Sequence, residues 1–159
     1  MGYIFLPSQI AEMAMDVEAA GITFYRRLKD LTEDKRIQEV LGFLSVQEAE
    51  HRVKFLEIAK AIKLSDEPYD YVIDVREILK NQLDKIKQKA LSFDSVSLNN
   101  LNLKEVLNIA INLEKESIRT YVEISKSFSN IFHDAISKII KEEEKHLEML
   151  INASQKLPV

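Results

Sequence analysis

Read at heptad spacing, the apolar positions of this chain fall into long helical seams, and two of those seams are interrupted by the same pair of polar residues. The first runs Ile37, Leu41, Leu44, Glu48, His51, Phe55, Ile58 and Ile62, and the second Phe132, Ile136, Ile139, Glu143, His146, Leu150 and Ala153. An ionised carboxylate in a core position is tolerated only when it is paired, hydrogen-bonded or bound to a cation. A Glu and a His satisfied within an ordinary core would account for one such interruption. The same Glu-x-x-His in both seams points to a shared cation, because residues three apart lie on one helical face about one turn from each other.

The remaining elements follow from caps and stripes. A first helix is expected from Ser8, an N-cap after Pro7, to about Leu31, with the stripe Ile10, Ala14, Val17, Gly21, Phe24, Leu28 and Leu31 and with Glu18 beside it. Thr32, Glu33 and Asp34 form an acidic start to the second helix, which fades near Lys63. The short turn between the two predicts an antiparallel hairpin spanning about 8–63. Gly42 lies inside the second helix at a cost of roughly 1 kcal/mol against Ala, and a close helix approach is the expected reason. From 64 to 101 the chain reads as a long connection. Ser65-Asp66-Glu67-Pro68 stops the helix, Asp74 caps a further amphipathic helix with the stripe Val75, Leu79, Leu83, Ile86 and Ala90, and Ser92 to Asn100 is expected to be irregular. Asn102 and Glu105 form a capping box for the next long helix, whose stripe is Val106, Ala110, Leu113, Ser117, Tyr121, Ile124 and Phe128, with Glu114 beside it. After a break around Ser127 to Asn130 comes the helix of the second Glu-x-x-His, completing a hairpin over about 102–154.

Composition narrows the chemistry. A chain of 159 residues that is 46% hydrophobic with three glycines suits one compact helical domain. It contains no cysteine, which excludes disulfides, thiolate zinc sites, iron–sulfur centres and a rubredoxin-type iron within this sequence. A formal charge of −4 offers no basic stripe, so nucleic-acid binding is not expected. The first residues lack the basic leader of a secretory signal and are too short to span a bilayer, and Leu6 stands where a myristoylation signal wants Ser or Thr. A cytoplasmic protein with no membrane association is the expectation.

Laid over each other, the two halves match. Glu18 corresponds to Glu114 and Tyr25 to Tyr121 at an offset of 96, while Glu48 corresponds to Glu143 and His51 to His146 at an offset of 95. The chain therefore reads as a duplicated helical hairpin, each copy supplying one isolated Glu, a Tyr seven residues on, and one Glu-x-x-His. Four carboxylates and two imidazoles from four helices are the set by which ferritin-like bundles hold two metal ions. The predicted fold is all-α, a ferritin-like four-helix bundle of two repeated hairpins in a single domain over 1–159.

On these residues the chain resembles the rubrerythrin-type, ferritin-like di-iron proteins without the rubredoxin domain. The resemblance implies that Glu48 and Glu143 bridge two metals, that Glu18 with His51 completes one site and Glu114 with His146 the other, and that Tyr25 and Tyr121 donate to carboxylates of the opposite hairpin. It implies two iron ions as cofactor, with manganese or zinc as alternatives. It also implies reduction of peroxide or dioxygen, or oxidation of ferrous iron, in oxidative-stress defence, with electrons from an external donor such as rubredoxin. Peroxide-reducing rubrerythrins resemble one another in a further Glu one turn after the isolated Glu of the third helix. Here that position is Ser117, its counterpart is Gly21, and Glu116 points about 100° away around the helix. The competing reading is a non-catalytic metal-binding or interaction protein with a structural di-metal site. A homodimer, with hairpins exchanged between subunits through the 64–101 connection, is a further expectation.

Overall fold

The computed structural model describes residues 2–64, 69–71, 74–95, 102–126 and 130–157. In chain order the elements are β1 (Tyr3–Phe5), α1 (Pro7–Asp30), α2 (Lys35–Lys63), β2 (Tyr69–Tyr71), α3 (Val75–Ser95), α4 (Leu103–Ser125) and α5 (Asn130–Gln155). The predicted all-α bundle is what forms. Helix α1 packs on α2 and α3, α4 packs on α5, and the two hairpins close through α2 against α5, with α3 also lying on α4. No helix among the described residues is long and apolar enough to cross a membrane.

Stripes and caps act largely as expected. Ile10, Phe24, Leu28, Leu41, Leu44, Ile136 and Ile139 are fully buried, and each large aliphatic or aromatic side chain so placed contributes about 1.5–3 kcal/mol relative to exposure. Asp34 starts α2, its Oδ1 accepting from the backbone N–H groups of Arg36 (2.9 Å) and Ile37 (3.3 Å). Thr32 instead closes the previous helix, its hydroxyl donating to the carbonyl of Leu28 at 2.8 Å. Helix α1 begins two residues earlier than expected, with its N-cap at Leu6 in place of Ser8. Pro7 is its first residue, Leu6 occupies the N-cap position, and the Gln9 side chain accepts from the Leu6 N–H at 3.2 Å, so Ser8 is buried inside the first turn. The space beside Gly42 holds the Lys29 side chain of α1, whose Nζ lies 3.3 Å from where a Cβ would be; a side chain, and not the neighbouring backbone, is what approaches.

The connection is more ordered than its composition suggested. Helix α3 continues through Ser95, into the stretch expected to be irregular, while residues 96–100 and the expected break at 127–129 lie outside the described residues. Asp74 does cap it, accepting from the Glu77 N–H at 3.2 Å. The buried face of α3 is Val75, Leu79, Gln82, Ile86 and Ala90, with Gln82 in the place expected for Leu83. Arg27 of α1 donates to the carbonyl of Ala90 at 2.9 Å, tying α3 to the first hairpin. A two-stranded antiparallel ribbon, with Tyr3 opposite Tyr71 and Phe5 opposite Tyr69, was not foreseen, because three-residue strands are too short to show a period. The guanidinium of Arg76 stands 4.0 Å over the Phe5 ring and fastens the ribbon to α3.

The capping box at α4 is complete, with Asn102 Oδ1 accepting from the Glu105 N–H at 2.9 Å and Glu105 Oε2 from the Asn102 N–H at 3.3 Å. Asn102→Ala is expected to lower the stability of the metal-free protein by about 1 kcal/mol. Urea denaturation of the two proteins, with metal removed from both, measures the difference.

Candidate metal centre

Each hairpin brings its polar residues to the middle of the bundle. Glu18 comes from α1, Glu48 and His51 from α2, Glu114 from α4, and Glu143 and His146 from α5, and none of the six is more than 5% exposed. They form two overlapping quartets. Ligand atoms of Glu18, Glu48, His51 and Glu143 lie within 4.8 Å of one another, as do those of Glu48, Glu114, Glu143 and His146. Glu48 and Glu143 belong to both quartets, and each of the remaining four residues belongs to one. The two imidazoles lie nearly parallel, with ring centroids 5.4 Å apart.

The tyrosines cross between hairpins. The Tyr25 hydroxyl of α1 donates to Glu114 Oε1 of α4 at 2.5 Å, and the Tyr121 hydroxyl of α4 donates to Glu18 Oε1 of α1. Each carboxylate thus has one oxygen held by the opposite hairpin. Phe24 stands edge-on to Tyr25 at 5.2 Å and Phe55 is tilted against Tyr121 at 5.3 Å, so both hydroxyls are fixed by packing.

Outside this set, one residue escaped the sequence reading. Glu142 Oε2 meets His51 Nε2 at 2.7 Å, and both Glu142 oxygens accept from Lys54 Nζ at 3.0 Å. A carboxylate on one ring nitrogen orients the imidazole and leaves the other nitrogen for the centre. The duplication conceals it, because the residue corresponding to Glu142 is Gln47, which bonds to Glu50 at 3.1 Å instead.

The donor set is tested by the atoms it leaves without partners. His51 Nδ1 and Glu114 Oε2 are buried and have no hydrogen bond, and both belong to the quartets. His51 Nδ1 lies 3.2 Å from Glu143 Oε1, 3.8 Å from Glu48 Oε2 and 3.9 Å from Glu18 Oε2. Two imidazoles and four carboxylates, converging with lone pairs unsatisfied, fit a pair of divalent cations of the kind that prefers oxygen with some nitrogen.

Protonation shows the same strain. Burial, reinforced by the charge of Glu48, pushes Glu18 well above the usual carboxylate range, and burial with Glu143 does the same to Glu114. Burial raises Glu143, and burial with Glu143 beside it raises Glu48 to about 7. Burial pulls His51 down, but the neighbouring carboxylates of Glu143 and Glu48 outweigh it and push the imidazole up to about 12. His146 is lowered, chiefly by burial. Burial alone would raise Glu142, yet Lys54 and His51 hold its carboxyl below the usual range.

Fold and site together define a ferritin-like bundle protein with a carboxylate–histidine centre. Residues 9–154 match the rubrerythrin family model, and the chain belongs to the rubrerythrin family. It is also similar to a Thermotoga maritima protein, crystallised at 2.30 Å and assigned by its name to the ferritin-like diiron-carboxylate proteins. The identity is 27%, the match covers 98% of this chain and 99% of that one, and the TM-score is 0.68. No curated protein matches.

The raised carboxylates make the metal-free protein sensitive to alkali. A carboxyl whose folded pKa exceeds its unfolded value contributes stability that is fully present below the unfolded value, 4.5, and lost as pH rises through the folded one, about 7 for Glu48. His51 acts in the same direction above its ordinary 6.5, and His146, being lowered, acts oppositely below it. The four carboxylates outnumber that one imidazole. The melting temperature of the metal-free protein is expected to fall as pH rises from 4.5 to 7, and Glu48→Gln to flatten that slope. Calorimetry across that range checks it, and a melting temperature that climbs would contradict it.

Proposed function

We propose that this chain is a di-iron carboxylate protein whose reduced centre is oxidised by peroxide or dioxygen, in oxidative-stress defence. The observation that carries the proposal is the pair of buried quartets sharing Glu48 and Glu143. In this reading Glu48 and Glu143 would serve both ions, Glu18 and His51 would help hold one, and Glu114 and His146 the other. Four carboxylates neutralise two divalent ions, and an oxygen-rich set with imidazole suits iron or manganese, and zinc as well. A bound pair of ferrous ions would supply two electrons together, the number that cleaves the O–O bond of peroxide, or takes dioxygen to peroxide, without releasing a radical.

The chain's own residues hold that centre in place. Tyr25 takes one oxygen of Glu114 and leaves Oε2 for a metal, and Tyr121 holds one oxygen of Glu18 in the same way. Glu142 anchors His51 through Nε2 and so presents Nδ1. Phe24 and Phe55, packed on the two tyrosine rings, keep those hydroxyls in place. In this reading the electrons come from a separate donor such as rubredoxin. The setting is cytoplasmic and the working form a homodimer.

Protein produced in iron-supplemented medium is expected to contain about two metal ions per chain, and Glu48→Ala combined with His51→Ala to lose both while staying helical, since the removed carboxylate serves both ions. Elemental analysis with circular dichroism decides this, and wild-type metal content in the double variant would refute the ligand assignment. The reduced iron-loaded protein is expected to develop near-ultraviolet absorption on mixing with hydrogen peroxide in stopped-flow. Protein that binds two irons yet shows no change with excess peroxide or dioxygen is a structural metal protein.

A further inference from the structure

On α3 a polar side chain lies in a seam that is otherwise apolar. Gln82 sits between Leu79 and Ile86 on the buried face and is only 4% exposed. Its Nε2 donates to Ser117 Oγ of α4 at 2.8 Å, and its Oε1 is buried with no partner. An unsatisfied amide oxygen in an apolar helix face is destabilising, and a Leu there would avoid it. Packing therefore gives no reason for Gln82; its partner does.

Ser117 faces the centre. Together with Gly21, Glu18, Glu48, Glu114 and Ile86 it lines a cavity of about 20 Å³ against the carboxylates, room for a water-sized molecule. On its other side Gln82 lines a groove of about 210 Å³ between α3 and α4, so this one side chain stands between the outer groove and Ser117. The direction of the hydrogen bond matters. A hydroxyl that accepts from Gln82 still has its own proton to donate, and the cavity is where an acceptor can reach it. Gly21 lines the same cavity, and a Cβ there would lie at ordinary contact distance, 3.5 Å, from the Glu48 side chain.

We propose that Ser117, held from behind by Gln82, is the hydrogen-bonding wall of the cavity in which this centre takes its exogenous ligand, a water-sized oxygen species. Ser117 donates to the ligand, and Gln82 is the positioning residue that holds the hydroxyl with its proton toward the cavity. This rests on the reading of the six buried residues as a di-iron centre open to peroxide.

The test uses fluoride, a single-atom acceptor that fits the space, titrated into the oxidised iron-loaded full chain and followed by near-ultraviolet absorption. Wild type, Ser117→Ala, Ser117→Thr, Gln82→Leu and the Gln82→Leu/Ser117→Ala double variant are compared, with iron content measured for each. All are expected to hold as much iron as wild type, because neither residue belongs to the quartets. Ser117→Ala and Gln82→Leu should each weaken fluoride binding on the order of tenfold, and Ser117→Thr should keep the wild-type affinity. The double variant should be no weaker than Ser117→Ala alone, since Gln82 acts through the hydroxyl. Unchanged affinity in Ser117→Ala overturns the proposal, and is the result expected if the amide is turned so that its carbonyl accepts the serine proton. Effects that multiply in the double variant overturn Gln82 as a positioning residue, and iron-loaded wild type that takes no fluoride overturns the cavity as a ligand site. Wild type without iron sinks the di-iron reading and this proposal together, whereas iron and fluoride bound alike in all five proteins sink this proposal only. The two Ser117 variants carry the test even if Gln82→Leu folds poorly.

Discussion

Four carboxylates buried at the middle of an apolar bundle are the constraint on which the rest of this structure depends. Glu18, Glu48, Glu114 and Glu143 are each at most 5% exposed, and their mutual repulsion adds to the cost of desolvation. The protein alone meets that cost in part, through two tyrosine hydroxyls, two imidazoles and retained protons. What remains unsatisfied is concentrated at His51 Nδ1 and Glu114 Oε2, on atoms belonging to two sets of four that share a pair of carboxylates. A surface cluster of acids would relax outward into water. Here long helices with apolar residues above and below the polar layer prevent it, so the repulsion is held in the fold until a cation relieves it.

Duplication is an economical way to build such a layer. One hairpin supplies two carboxylates, an imidazole and a phenol, and a second copy facing it supplies the other half. The Tyr25–Glu114 and Tyr121–Glu18 bonds are reciprocal, each hairpin's tyrosine serving the other's carboxylate. The centre consequently forms only when the hairpins meet, and its hydrogen bonds report on their pairing. The copies have diverged where the symmetry serves no purpose. Glu142 with Lys54 orients His51, whereas Gln47 in the corresponding position bonds within its own helix to Glu50.

Four of the six central residues were legible in the sequence because each Glu-x-x-His interrupts a strong apolar seam and the interruption occurs twice, and Glu18 and Glu114 because they occupy corresponding places in the two halves. The capping box at Asn102 was legible for a similar reason, being local chemistry with a fixed spacing. The features that were not legible depend on neighbours distant in sequence. Glu142 looks like any solvated acid in a run of three, and only its distance to His51 distinguishes it. The strands Tyr3–Phe5 and Tyr69–Tyr71 acquire their structure from each other. Gln82 lies between these cases. It falls at heptad spacing from Leu79 and Ile86, the same kind of breach as Glu48, but Leu83 beside it offers an equally periodic apolar stripe, and periodicity cannot choose between adjacent positions.

That choice changes how position 117 is understood. A Glu there, as the resemblance to peroxide-reducing rubrerythrins would suggest for a fuller ligand set, places three more heavy atoms beside the carboxylates than Ser does. The cavity of about 20 Å³ has room for a water-sized molecule, and Gln82 already occupies the far side of Ser117. A carboxylate at 117 would fill that cavity and remove the hydroxyl that Gln82 holds. Ser117 and Gln82 are thus alternatives to the additional Glu. Ser117 puts a neutral hydroxyl where the acid would stand and leaves a small opening beside Glu114, while Gln82 backs it from α3, a helix that lies outside the repeated hairpins.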